Sequence, residues 1–175
     1  MANDEWMCAK CGEMHRGVFD FAAFAPDIWQ HAEVYAPNAD LDLSGDFLSE
    51  DFCVIGGKYF FVRGVAEVPV EGLAVPFGFG SWSTLSRENL DAYLDGFDKG
   101  RYEVERPWTG WFSNRISTFP DTLNQPCIVI PQNDRQRPHL LLSDENHELA
   151  RAQRSGIDAL WLLEIFEAYG HVPDA

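Results

Sequence analysis

The stretch "DFCVIGGKYFFVRGVAEVPV" (residues 51–70) decides how the rest of the chain is read. Two runs rich in Val, Ile, Phe and Tyr flank Gly56–Gly57, a dipeptide suited to a tight primed turn. This predicts a β-hairpin, and hence a sheet built by local antiparallel pairing. Downstream, "VPFGFGSWSTLS" (75–86) adds Phe77, Phe79 and Trp82 as strand residues, with Gly78 and Gly80 allowing a bend. "QPCIVIPQ" (125–132) and "RPHLLLS" (137–143) flank the polar turn Asn133–Gln136, which predicts a second hairpin.

Helical spacing fills the gaps. In "APDIWQHAEVYAP" (25–37), Ile28, Ala32 and Tyr35 recur at i, i+4 and i+7 between Pro26 and Pro37, which predicts a first helix. Residues 38–50 are acidic and turn-rich, hence a loop. Ser86 caps a helix in which Leu90, Tyr93, Leu94 and Phe97 share a face and which Gly100 ends. Residues 106–124 are aromatic but punctuated by Pro and Gly, which predicts an ordered loop. Ser143 is the expected cap of a helix ended by Gly156. The last helix presents Trp161, Leu162, Ile165, Phe166 and Tyr169 as one stripe. The expectation is an α+β fold: one domain over 1–175, with a mostly antiparallel sheet of about five strands, helices packed on it, a knuckle at 1–18 and a body at 19–170.

Composition supports a packed core, with 46% hydrophobic and 14% aromatic residues. Thirteen Lys and Arg against 28 Asp and Glu give a net charge of −15. Nucleic-acid binders and anionic-membrane binders rely on basic clusters, so neither partner is expected. The N-terminus "MANDEWMCAK" lacks a signal peptide's basic and apolar regions, and no apolar run approaches the ~20 residues of a membrane span. A cytoplasmic location follows, with the four cysteines as thiols or metal ligands.

The chemical signal is "MCAKCGEMHRG" (7–17). Two thiolates at C-x-x-C spacing can share one tetrahedral zinc, and Gly12 suits the turn that brings them together. His15 is a candidate third ligand and Cys53 a fourth, with His147 as an alternative. A redox pair would want a preceding strand and a following helix, and neither is expected here. Cys127 reads as a small buried hydrophobe. No nucleophile elbow, phosphate loop or H-E-x-x-H motif is present. Trp82 and Trp111 are candidate groove residues. Arg63 and Arg137, set among apolar strand residues, need partners for their charge: an acid such as Glu67 for Arg63, or a small anion.

The phrases "CAKCGEMH", "DFCVIGGKYFFVRGVAEVPV", "FGFGSWSTLS", "GWFSNRISTFPDTLN", "RPHLLL" and "NHELARAQRSGI", in this order, resemble the bacterial family of domain of unknown function 2199 over residues 8 to 160. That family's pattern corresponds to Cys8, Cys11, His15, Cys53 and His147 here. Its Asp-His-Pro-Leu phrase reads Asn146-His147-Glu148-Leu149 in this chain. The resemblance implies no activity. The residues themselves suggest a domain binding a protein or small ligand, with a structural zinc knuckle. The alternatives are a zinc enzyme with an open metal position and an acidic neutraliser of a basic partner, of the toxin-immunity type.

Overall fold

Strands β5 (Phe52–Ile55) and β6 (Tyr59–Val68) form the hairpin expected around the glycine pair. Gly56 and Gly57 take φ of +59° and +61°, and the Lys58 amide closes the turn on the Ile55 carbonyl at 3.1 Å. Two successive left-handed residues define a type I′ turn, whose twist matches that of the strands. The computed structural model describes residues 5–102 and 107–173. Around the hairpin, β6 pairs along its length with β7 (Phe77–Leu85), and β9 (Pro126–Ile130) with β10 (His139–Leu142), all antiparallel.

The sheet is larger and more mixed than expected. It has eight strands, because β3 (Phe21–Ala22), β4 (Phe47–Leu48) and β8 (Trp108–Trp111) also join. Two contacts are parallel: β3 with β7, and β10 with β6 at His139 and Val65. The expected loop at 106–124 begins outside the described residues, and from Trp108 to Trp111 it is a strand paired with β9. The WTGW run gains order from its partner rather than from local propensity. The sheet curls until the end of β8 meets β7. Phe112 bridges Ser83, and the Ser113 amide donates to the Trp82 carbonyl at 2.8 Å.

Inside the curl lie Val62, Val68, Phe77, Phe79, Phe112, Val129 and Leu140, all fully buried. Helix α1 (Arg87–Lys99) carries the predicted Ser86 cap and left-handed Gly100 terminus. Helix α2 (Glu148–Ser155) starts later than expected: its cap is His147, not Ser143. Helix α3 (Ala159–Ala168), capped by Asp158, buries Leu162, Ile165 and Phe166. Among the described residues no helix is long and apolar enough to cross a membrane.

The segment 25–37 is not a helix. It is an irregular strap over a second, smaller cluster of Leu48, Cys53, Phe61 and Trp82, onto which Phe24, Trp29 and Tyr35 pack. Tertiary bonds hold its backbone instead of helical ones: Asp27 N–H to Ser113 O, and Ala36 N–H to Leu48 O, each 2.9 Å. Arg63 fastens the strap from below. Its guanidinium donates to the carbonyls of Ala23 and Glu50 and to the Tyr35 hydroxyl, with its carbon 5.9 Å from the Trp82 ring centre. The expected Arg63–Glu67 pair does not form, because Glu67 pairs with His139 at 3.0 Å.

Candidate metal centre

Strands β1 (Glu5–Met7) and β2 (Met14–Arg16) make a small antiparallel hairpin whose connection is the C-x-x-C segment. The turn is closed by Gly12 N–H to Cys8 O and Cys8 N–H to Glu13 O, both 2.9 Å. Gly12 sits at φ +72°, which accounts for glycine directly after Cys11. Cys8 and Cys11 leave the turn on one side, and His15 reaches the same side from β2.

A fourth donor comes from the other end of the chain. Past α3, Gly170 adopts φ +85° and reverses the backbone, with the His171 amide bonded back to the Phe166 carbonyl at 2.8 Å. The tail then runs beside the knuckle: Ala9 N–H donates to Val172 O at 2.8 Å, and Cys8 bridges Pro173. Aromatic packing carries the hairpin onto α3. Trp6, Phe19 and Phe166 meet with ring centres 5.0–6.3 Å apart, and Phe21 stacks on Tyr169 at 4.2 Å.

The ligand atoms of Cys8, Cys11, His15 and His171 all lie within 4.8 Å of one another. Cys11 Sγ is 3.2 Å from His15 Nε2 and 3.9 Å from His171 Nδ1, which is 4.0 Å from Cys8 Sγ. A tetrahedral zinc, with Zn–S about 2.3 Å and Zn–N about 2.0–2.1 Å, requires S···N separations of about 3.5–3.6 Å. The observed edges scatter around that value, so these four side chains are placed to hold one metal ion.

The surroundings favour thiolate at Cys8. Burial pushes its thiol up, but backbone N–H groups of Cys11, Val172 and Lys10 outweigh this, and it settles at about 6. Two of these donors are visible as 3.4 Å contacts to Sγ, from the amides of Cys11 and Val172. The Cys11 thiol is drawn down by the Glu13 backbone, but partial burial and the neighbouring Cys8 leave it raised. Two thiolates this close repel each other unless a cation lies between them.

The other expected ligands lie elsewhere. Cys53 is on β5, paired across to Phe61 and covered by Leu48 and Trp82, and burial pushes its thiol up to about 12. Alternation along β5 turns Phe52 and Val54 into the curl and Cys53 to the outer face, beneath the strap and away from the knuckle. His147 has both ring nitrogens engaged. Nδ1 accepts from the Leu149 amide at 3.1 Å, so Nε2 carries the proton and donates to Pro120 O at 2.9 Å. It is a helix cap rather than a metal ligand. Cys127 faces the core against the Ser83 hydroxyl.

Of the candidate ligand-binding residues, Trp82 is wholly buried and Arg63 is spent on the strap. Trp111 is exposed and borders a groove of about 470 Å³ with Tyr59 and Ile28. Arg137 lines a separate polar cavity of about 540 Å³ and donates to Asp51 at 3.0 Å.

No curated protein and no solved structure matches the chain. One family model does, described as an uncharacterized protein conserved in bacteria (DUF2199), over residues 7–157. That span contains Cys8, Cys11 and His15, while His171 lies beyond it. With all but the two ends of its length matched, the chain belongs to this family of bacterial proteins of unknown function.

Proposed function

We propose that this chain is a binding domain whose two ends are stapled together by a structural zinc ion. One observation carries the reading: four protein donors, two Cys and two His, converge within 4.8 Å. Four protein ligands complete a tetrahedron and leave no position for water or substrate, which is the arrangement of structural zinc rather than catalytic zinc. The mixed sulfur–nitrogen set also suits zinc better than the hard cations, which prefer oxygen. The site lies where the N-terminal hairpin meets the tail after α3, so the ion would order these ends on a body that has its own core.

Elemental analysis of protein purified under reducing conditions tests this. About one zinc per chain is expected, and Cys11→Ser should abolish it. In a cobalt-substituted form the visible spectrum should stay unchanged on adding azide. Protein without near-stoichiometric metal overturns the zinc staple. A cobalt spectrum that shifts with azide overturns the closed site in favour of an enzyme with an open metal position.

A further inference from the structure

The parallel contact between β6 and β10 is a single register pair, His139 with Val65, supported by Val65 N–H to Pro138 O at 2.9 Å. No further β6–β10 register pair follows among the described residues, and two hollows lie against this point. The Glu67–His139 pair borders two hollows. One is the polar cavity of about 540 Å³ lined by Asp51, Gln136 and Arg137; the other, of about 320 Å³, is walled by Val70, Leu73, Val75 and Leu141.

The polar half is built around Arg137. Asp51 accepts Arg137 Nε on one carboxylate oxygen at 3.0 Å and Asn38 Nδ2 on the other at 2.8 Å. Its backbone carbonyl takes the Arg63 amide at 2.9 Å. Asp51 is thus fixed at three points and fixes Arg137 in turn. Only Nε of the guanidinium is engaged, so Nη1 and Nη2 have no partner among the described residues. A buried or half-buried guanidinium held this way presents a flat donor edge that matches a two-oxygen anion.

A second cation is brought to the same wall at a conformational cost. Asp134 and Arg135 both take φ of +57°, a region non-glycine residues rarely occupy. The turn is stitched to the end of α1, with Asp134 N–H on Gly100 O and the Arg135 side chain on the carbonyls of Phe97 and Asp98. Arg135 lines the cavity with Arg137.

Charge selects the ligand class. Arg135 and Arg137 balance Asp51 and Glu67, so the formal charge of the wall is zero before His139 is counted, within a chain of −15. A doubly charged phosphate would meet two carboxylates and the net negative field. A single carboxylate on the free edge of Arg137 would not accumulate charge in this way. The adjoining apolar hollow accommodates a hydrocarbon part.

We infer that the cleft between β6 and β10 binds a monocarboxylate carrying an apolar chain, with the head on Arg137 and the chain in the hollow beside Val75. This names the ligand for the binding-domain reading above and does not depend on the metal.

Octanoate is the probe, titrated into zinc-replete protein by calorimetry and by amide NMR shifts. One saturable site is expected, with acetate and octanol each binding at least about tenfold more weakly, since each keeps only one half of the recognition. Arg137→Gln should weaken octanoate at least about tenfold, and Arg137→Lys, which keeps charge but loses the fork, by less. Val75 is 71% exposed, so Val75→Glu keeps the fold and should weaken octanoate by placing a carboxylate against its chain. Arg115→Gln, in the Trp111 groove, should change nothing. Absence of saturation by about 10 mM, octanol binding as tightly as octanoate, or full binding by both Arg137→Gln and Val75→Glu overturns the inference. Zinc content measured on the same samples separates the readings: a zinc-replete protein that ignores octanoate fails this inference alone, and a zinc-free protein that binds it fails the zinc staple alone.

Discussion

Cys8 and Cys53 are each 1% exposed, but Cys8 lies in a thin knuckle and Cys53 beneath a packed apolar layer, and one thiol is drawn down to about 6 while the other is pushed up to about 12. Burial penalises the thiolate in both places. At Cys8 backbone N–H groups from the turn and from the tail aim at the sulfur and overcome the penalty. At Cys53 the neighbours are Leu48, Phe61 and Trp82, burial weighs more heavily, and the charge of Asp46 raises the thiol further. The lesson concerns the two regions as much as the two residues. The knuckle is organised around polar donors and shaped to receive a cation, whereas the body is held by apolar packing.

Thiol chemistry gives the largest separation between them. In folded, metal-free protein at pH 7, iodoacetamide should label Cys8 well ahead of Cys53 or Cys127, since reaction follows the thiolate and the knuckle covering Cys8 opens more readily than the body. Burial also holds Cys127 up, at about 11. Peptide mapping by mass spectrometry reads the order. Labelling of Cys53 at a rate near that of Cys8 would show that the body opens as easily as the knuckle, and the contrast would collapse. Bound zinc should protect Cys8 and Cys11 while leaving Cys53 as slow as before.

Folding stability sharpens the same contrast at smaller magnitude. Gly110 on β8 lies so close to β7 that a Cβ would overlap the Thr84 carbonyl oxygen and the Ser83 hydroxyl. Gly110→Ala must push apart the closure of the curled sheet, at about 3 kcal/mol. For a chain of this length Tm should fall by about 6–12 °C. His171→Ala removes a knuckle donor and takes from the core only the contacts of its ring with Phe19 and Phe21 at the rim. Zinc affinity should fall at least about tenfold, yet Tm of the metal-free protein should move by no more than about 2 °C. Amide exchange should lose protection at Ala9, whose N–H is held by the tail at Val172. A His171→Ala variant that melts as early as Gly110→Ala would mean that knuckle and body are a single cooperative unit.

The sequence revealed most where a signal was local. The Gly56–Gly57 turn, the Ser86 and Gly100 ends of α1 and the C-x-x-C turn each depend on residues within a few positions of one another. What was hidden depends on partners far along the chain. Residues 25–37 have helical spacing, but their apolar side chains cover the outside of the sheet, and that packing overrides local preference. The WTGW run becomes a strand because β9 lies beside it. His171 carried no motif, being a lone histidine after a helix and 156 residues past His15 by the difference of their numbers. Its only local clue was Gly170, a residue suited to turning the chain back, and nothing in spacing says where such a turn leads. Cys53 looked equivalent to a ligand by type and was excluded only by the face of the strand on which it falls.

The last contrast is an alkaline pH dependence that arises in the body. Cys53 is raised to about 12 by burial, and Cys127 to about 11 by burial partly countered by the Ser83 hydroxyl. In the unfolded chain a thiol ionises near 8.5. Between about pH 9 and pH 11 the unfolded state has therefore lost protons that the folded state keeps, so stability must fall as pH rises. Each thiol contributes a slope of about 1.4 kcal/mol per pH unit across that window. Below about pH 8 both states hold the proton and the slope vanishes. Cys53→Ala should lower stability somewhat at pH 7 through lost packing, yet flatten the decline between pH 9 and 11 by about the contribution of one thiol. Urea unfolding at a series of pH values measures both. An unchanged slope in Cys53→Ala would mean that the Cys53 thiolate is tolerated in the folded body, and the distinction from Cys8 would then rest on the amide donors alone.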